Sequence, residues 1–393
     1  MADELGFAPS ENPYVVEHGG FYRRWLSRVD DLSVLTDTVA SLTGTTDDVW
    51  VPAWREVGRR YEDDGDRFRA SGDHGSARHA YEQAKIYYAI GRFPAAITPL
   101  KAEVDRDCVR AYLKAAEHLD PPLQVVEVEC DGRAVVCHYR APAAASPESK
   151  VPAVLVMCGS DVFKEDRGWV AELALDHGLA ALVMDAPGTG ENPFPHAPGS
   201  VRAWAAAMDW LAARPEIHDD RVGAFGISRG GYSVMLLAGS YPDRVRAAVA
   251  VAGNHFGYRM SDDEAQRFVE MRKERSGYVF GRPGDPPTFP PSSLEQEEDE
   301  FRTWALSELG IVDDIVCPVL MINGKRDHLA PIGNIYYMLE HGPVTGREAR
   351  VYPDDGHCAF KHVEEWGPAS FRWLAERLAP AVSPSRSVPA SAR

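Results

Sequence analysis

Several things are scarce in this chain, and each scarcity narrows what it can be. Its six cysteines (Cys108, Cys130, Cys137, Cys158, Cys317 and Cys358) form no Cys-x-x-Cys pair. Their scatter without paired spacing argues against a zinc site and against a disulfide framework. Most of the cysteines sit in apolar, strand-like runs, where a thiol behaves as a small hydrophobe. That usage predicts a reducing, cytoplasmic setting. No run approaches the ~20 apolar residues that span a bilayer. The opening Met-Ala-Asp-Glu-Leu also lacks the basic and apolar regions of a signal peptide. Positive charge is short as well: 42 Lys and Arg face 59 Asp and Glu, for a net charge of −17. Without a Lys/Arg cluster to override it, that field repels nucleic acid. The expected partner is a small molecule, with no nucleic acid, no membrane, no metal and no cofactor.

What is present reads as two units. Through residue 120 the apolar residues recur at helical spacing: Trp54, Val57, Tyr61 and Phe68; then Ala77, Tyr81, Ala84 and Tyr88; then Val104, Cys108, Ala111, Ala115 and Leu119. One or two further helices are expected between Phe21 and Leu42. From Val125 the period changes. Val125–Cys130 and Ala134–Ala141 alternate around Asp131-Gly132, a hairpin signal. Apolar runs follow at Val151–Cys158, Leu179–Met184, Val222–Ile227, Val245–Ala252, Val319–Ile322 and Glu348–Tyr352, with helical stretches between most of them. Short apolar strands alternating with helices imply a mostly parallel sheet covered on both faces. The fold class is therefore α/β: a roughly eight-stranded sheet flanked by helices (121–380), preceded by an all-helical unit (1–120). Residues 255–309 break the rhythm and read as a lid-like insertion. Within it Glu295 to Glu300 form an acidic run, expected to be a solvated face. Residues 381–393 read as a disordered tail.

The chemistry starts at Gly226-Ile-Ser228-Arg-Gly230-Gly231. The five-letter pattern Gly-x-Ser-x-Gly is weak alone, but here a buried-strand run precedes it and helix-forming residues follow. A nucleophile elbow needs that context, with the serine at the tip of a strained turn. A serine hydroxyl also needs a base, and the base needs an orienting acid. Asp327 follows one later strand and His357 the next, in the order and places that this arrangement requires. Asp354, Asp355 and His362 are weaker neighbours. The oxyanion of the reaction needs two N–H donors, one from Arg229 and the other from Gly159, Ser160 or Asp161. The sequence leaves that choice open. Asp161, His255 and Tyr88 are the further candidates for an auxiliary acid or a substrate contact. Asp185-Ala-Pro-Gly-Thr-Gly-Glu191 lacks the Lys-Ser/Thr of a P-loop and reads as a tight turn along one wall of the site.

With these residues in hand, the chain resembles the α/β-hydrolase branch that includes FrsA-like proteins, 2,6-dihydropseudooxynicotine hydrolases and fungal polyketide-shortening hydrolases. The resemblance runs from about Trp54 to Trp373. It rests on the helical segment Ser76–Tyr88 with Phe93-Pro94, on Gly159–Asp166, on Asp185–Glu191, on the elbow, and on Asp327 with His357. It implies hydrolysis of a carbon–carbon bond next to a carbonyl in an aromatic or polyketide-like molecule, with the N-terminal helices acting as a cap. It also aligns Asp161 with an assisting acid, although Cys-Gly-Ser-Asp stands where the branch tends to have Gly-Gly-Leu-Glu. A homodimer fits the branch. The alternatives are a carboxylesterase or thioesterase, or an acyltransferase or cyclase acting on a secondary-metabolite acyl ester. The aromatic residues Tyr61, Phe68, Tyr81, Tyr87, Tyr88 and Phe93 suit a flat, apolar ligand.

Overall fold

Short polar side chains set the starting points of the N-terminal helices. The computed structural model describes residues 25–380, apart from 26–27, 45, 94, 275–280, 283–287, 289–290 and 344–345. The expected tail at 381–393 lies outside the described residues. Helix α1 (Leu32–Ser41) follows Asp31, whose carboxylate accepts the Ser33 N–H. Helix α2 spans Asp47–Ala70. Helix α3 (His74–Arg92) follows Asp73, which accepts from Ser76 in the same way. Helix α4 (Pro99–Ala116) has Thr98 as its cap and a proline in its first turn. Each cap satisfies an N–H that the helix itself leaves orphaned.

Two glycines let α2 and α3 approach closely. A β-carbon on Gly58 would sit 2.5 Å from the Tyr88 ring, and one on Gly65 would sit 2.5 Å from the Tyr81 ring. Tyr88 is fully buried, and its hydroxyl donates to Glu62 at 2.8 Å. Glu62 is fixed in turn by Arg110 and Lys114. Burial alone would raise the Glu62 carboxyl, but these partners pull it down to about 2. The tyrosines thus form the unit's own core with Trp50, Trp54 and Val104. Phe68, expected in the same stripe, stands exposed in the last turn of α2.

The sheet follows. In chain order come β1 (Gln124–Cys130), β2 (Arg133–Arg140), β3 (Val151–Met157), helix α5 (Gly168–Asp176), β4 (Ala180–Met184), helix α6 (Val201–Ala212), β5 (Ile217–Ile227) and helix α7 (Arg229–Ser240). Then come β6 (Ala248–Val251), helices α8 (Asp262–Glu274) and α9 (Leu294–Trp304), β7 (Val319–Gly324), helix α10 (Gly333–Glu340), β8 (Arg347–Tyr352) and helix α11 (Val363–Leu378). All eight strands lie in one sheet, in the order β1-β2-β4-β3-β5-β6-β7-β8. Strand β2 runs antiparallel to both neighbours and the rest pair in parallel. Alternate residues of β3 serve opposite cores. Val154 and Val156 face α5 and α11, while Leu155 and Met157 face α6, α7 and α10. No described helix is long and apolar enough to cross a membrane.

The 255–309 segment is an excursion between β6 and β7 that carries α8 and α9. Its stem is closed by a hydrogen bond from Leu306 N–H to the His255 carbonyl, 2.9 Å, and by the Arg259–Glu308 ion pair. The acidic run is not wholly solvated. It lies on α9, and Glu297 is turned inward and buried.

The helical unit meets the sheet domain through buried charge. Asp166 takes ion pairs from Lys85 at 3.2 Å and from Arg92 at 2.5 Å, and Arg92 lies 3.7 Å over the Phe163 ring. Nearby Tyr112 of α4 stacks on His138 of β2 at 5.1 Å. Burial pushes the His138 imidazole down to about 4, so it packs as a neutral ring.

Gly58→Ala is expected to cost about 1–3 kcal/mol, because a methyl group there drives the pinned Tyr88 ring off its seat. Gly75→Ala, in the open first turn of α3, should stabilise by about 0.4–1 kcal/mol. Urea unfolding of the two variants beside the parent chain checks the opposite signs.

Candidate active site

Strand β5 ends in a turn where only glycine fits. A β-carbon on Gly226 would overlap the Gly230 carbonyl, and one on Gly230 would overlap the Met157 carbonyl. One on Gly231 would lie 2.5 Å from the Val251 oxygen. The chain can therefore pass directly from β5 into α7. Ser228 sits at the apex with φ 60° and ψ −120°, a strained conformation for a residue with a side chain. Its N–H is held by the Val251 carbonyl at 2.7 Å. The helix start that follows turns orphan N–H groups and a positive dipole end toward the hydroxyl.

The loops after β7 and β8 bring two more side chains to the same point. His357 Nε2 is 2.9 Å from Ser228 Oγ, and its Nδ1 is 2.7 Å from Asp327 Oδ2. Asp327 is fixed from its other sides. Its carboxylate accepts from the Leu329 N–H at 2.8 Å, the Ala330 N–H at 3.0 Å and the Asn323 amide at 2.8 Å. Burial by itself would raise the Asp327 carboxyl, but His357 and these donors hold it below its ordinary value. Burial likewise disfavours a charged His357, and the Asp327 carboxylate outweighs it, raising the imidazole well above its usual range. The weaker neighbours do other work. Asp355 accepts the Gly356 and Lys361 N–H groups and shapes the loop, while Asp354 pairs with His362 at 3.0 Å near the surface.

A cavity of about 90 Å³ opens over Ser228. Ser160, Arg229, Tyr232, His255, Phe268, Glu300 and His357 are among its walls, so the excursion between β6 and β7 supplies part of the lining. The Arg229 guanidinium lies 3.9 Å over the Trp304 ring and 4.6 Å over Tyr232, with His196 Nε2 at 3.4 Å. Among the described residues, the backbone N–H groups of Gly159 and Ser160 have no protein acceptor. They stand beside the serine, since a β-carbon on Gly159 would be 3.8 Å from Ser228 Cβ.

Not every expected contact is here. Asp161 faces a neighbouring hollow with Trp25, Arg28, Ile86, Ile90 and Phe93, on the side of the helical unit. Tyr88 is a correction. It is buried between α2 and α3 on Glu62 and does not line the Ser228 cavity, because Gly58 gives it a seat inside the helical unit. The same holds for Tyr81 and Tyr87, so the aromatic stripe is core and not pocket wall. A larger cavity of about 330 Å³ lies between the helical unit and α5, lined by Lys85, Tyr112, Arg140 and Glu165 among others. It contains none of the three hydrogen-bonded side chains, so chemistry and not size locates the site. Among the described residues, no group of three or more His, Cys, Asp or Glu side chains is arranged to hold a metal.

Sequence reasoning missed what fixes the 159–167 loop. Lys164 is fully buried and touches three carboxylates: Asp185 at 3.2 Å, Glu165 at 2.7 Å and Glu191 at 2.6 Å. Its backbone N–H donates to Asp185 as well, at 2.7 Å. Burial would lower the Lys164 ammonium, but the three acids overcome it and keep it charged. The available signal was a Lys-Glu-Asp-Arg run after one apolar strand and an Asp directly after the next.

Comparison with known proteins agrees with this architecture. A sequence profile of the alpha/beta hydrolase fold matches residues 154–282. A 2,6-dihydropseudooxynicotine hydrolase of Paenarthrobacter nicotinovorans is 26% identical over 82% of this chain and 83% of its own. An Esterase FrsA of Vibrio vulnificus is 22% identical over 84% of this chain and 76% of its own. The crystal structure of a 2,6-dihydroxy-pseudo-oxynicotine hydrolase superposes with a TM-score of 0.71 at 23% identity, covering 91% of this chain and 95% of that one. This chain is therefore a hydrolase with the α/β-hydrolase fold, similar over most of its length to the dihydropseudooxynicotine hydrolase and to an Esterase FrsA.

Proposed function

We propose that Ser228 is the nucleophile, His357 the general base and Asp327 the acid that orients it, in the hydrolysis of a bond next to a carbonyl. The observation that carries this is the unbroken hydrogen-bond chain Asp327–His357–Ser228, ending on a serine held at positive φ. His357 takes the hydroxyl proton through Nε2 as Ser228 Oγ attacks the carbonyl carbon. The N–H groups of Arg229 and of Gly159 or Ser160 donate to the carbonyl oxygen as negative charge develops on it. Collapse expels the leaving group, which takes the proton from His357. Water, activated by the same imidazole, then frees the acyl group from the serine.

The scissile bond in this reading is C–C, in an aromatic or polyketide-like ketone. The support is the motif resemblance and the 26% identity to a 2,6-dihydropseudooxynicotine hydrolase. Carbanion expulsion requires a leaving fragment stabilised by its own carbonyl or ring and then protonated. His357 returns that proton, and His255, with φ 57° and a place in the cavity wall, is the candidate contact for the departing fragment. A second reading, ester or thioester hydrolysis, is favoured by one observation: Asp161 faces the hollow beside the helical unit and not the serine cavity. An alkoxide or thiolate leaving group needs no such extra acid. In both readings the N-terminal helices serve as a cap, since α3 and α4 rest on the 159–168 segment through Asp166 and through Tyr112 against Gly168.

Treatment with a fluorophosphonate should give one adduct by intact mass, and Ser228→Ala should abolish it. Turnover in that variant should fall by about 10⁴-fold or more, at an unchanged melting temperature. An adduct retained in Ser228→Ala removes the nucleophile assignment. Aryl 1,3-diketones and aryl esters assayed side by side then separate the two readings; turnover of esters alone selects the second. Because His357 must be neutral to accept a proton and Asp327 raises its pKa, kcat/KM should fall as pH drops through a value above about 6.5. Asp327→Asn should move that acid limb to lower pH and cost about 10⁴-fold in rate. A limb that stays in place argues against His357 as the base.

A further inference from the structure

Arg167 is a buried cation whose Nε and Nη1 find no partner among the described residues. It closes the short turn Lys164–Arg167 behind the Gly159–Asp161 loop and is 2% exposed. The other charged residues of that turn are matched: Lys164 by Asp185, Glu165 and Glu191, and Asp166 by Lys85 and Arg92. Arg167 is not. Its Nε and Nη1 have no hydrogen-bond partner, and no carboxylate pairs with it among the described residues. A guanidinium cannot shed its charge as a lysine can, so burial leaves it strongly under-solvated. A buried group left unpaired in a native fold calls for a reason.

Its position supplies one. The Arg167 Nη2 and the Ser228 Cβ lie 3.9 and 3.8 Å from the same point, the place where a β-carbon on Gly159 would project. The Ile227 carbonyl oxygen is nearer still, at 3.2 Å, and glycine leaves that point without a side chain, so Nη2 and the serine lie on either side of it at the margin of the cavity. Arg229, the other guanidinium at the site, is already engaged with the rings of Trp304 and Tyr232 and with His196. Nε and Nη1 are sealed away, so it is Nη2 that can reach a carboxylate, through one charge-assisted hydrogen bond.

We infer that Arg167 anchors a carboxylate of the substrate, a few bonds from the carbonyl that Ser228 attacks, and that the enzyme selects acidic substrates. This rests on Ser228 as the nucleophile and adds the substrate class. Arg167 acts here as a specificity-determining residue. It brings no new covalent step.

The test compares two esters matched in carbon number, 4-nitrophenyl hemiglutarate and 4-nitrophenyl pentanoate, which differ in a terminal carboxylate. The parent enzyme should prefer the hemiglutarate in kcat/KM by at least about 10-fold. In Arg167→Met that ratio should collapse to about one, whatever happens to the absolute rates, and Arg167→Lys should keep part of it. A parent enzyme with no preference, or a ratio unchanged in Arg167→Met, overturns the anchor while leaving the nucleophile in place. Failure of both esters together with absence of the Ser228 adduct overturns the nucleophile reading and the anchor with it. If Arg167→Met does not fold, the parent enzyme decides. Glutarate should slow fluorophosphonate labelling of Ser228 more than glutaramide does, and equal protection by the two overturns the proposal.

Discussion

Lys164 has no water to solvate it, and the geometry around the serine depends on how that is resolved. Three carboxylates from two loops converge on its ammonium, and its own backbone N–H returns to one of them. The 159–167 loop after β3 is thereby tied, through the short 3₁₀ turn Lys164–Arg167, to the Asp185–Glu191 loop after β4. A buried ammonium without those acids would be strongly destabilising, and so would the acids without it. The arrangement is thus all-or-none, which suits a loop that in the proposed reaction presents one of the two N–H donors at a fixed spot. On its outer side the same loop carries Asp166, where Lys85 and Arg92 dock the helical unit. The charge cluster sets the inner wall of the site and the seat of the helices at once.

Much of the sheet domain was legible because its rules are local. Parallel strands buried on both faces read as short continuous apolar runs, and all six such runs became strands. The elbow was legible for steric reasons: its glycines are demanded by carbonyls on neighbouring strands, so pattern and geometry are one fact. Asp327 and His357 followed from chain order and from their position just past strand ends. The distances that join them to Ser228 were not in the sequence, because they depend on how the loops after β7 and β8 fold back toward the end of β5.

What was not legible depended on partners far away in sequence. The tyrosines of α3 read as core by default with Tyr88 also a candidate contact, because helical spacing shows which residues share a face and not what that face meets. The missing information was in Gly58 and Gly65, which look like weak points in a helix until the rings that occupy them are known. The acidic run failed in the same way. Its composition reads as solvated, but Glu297 is buried and Glu300 reaches the cavity once α9 folds back over the site. Charged residues buried by tertiary contact leave no periodic signal, and Lys164 and Arg167 belong to that class.

The sheet has two free edges, β1 and β8, and the sequence of β1 bears on how copies of the chain meet at high concentration. Val125, Glu127 and Glu129 are exposed, while Val128 and Cys130 turn into the core. A second β1 laid antiparallel against this edge would set carboxylate beside carboxylate on the same face, and like charges so placed are unfavourable. Acidic side chains on an exposed edge are a recognised guard against open-ended strand addition. Among the described residues β1 is an edge strand, and its two exposed glutamates disfavour the pairing of a second β1 against it.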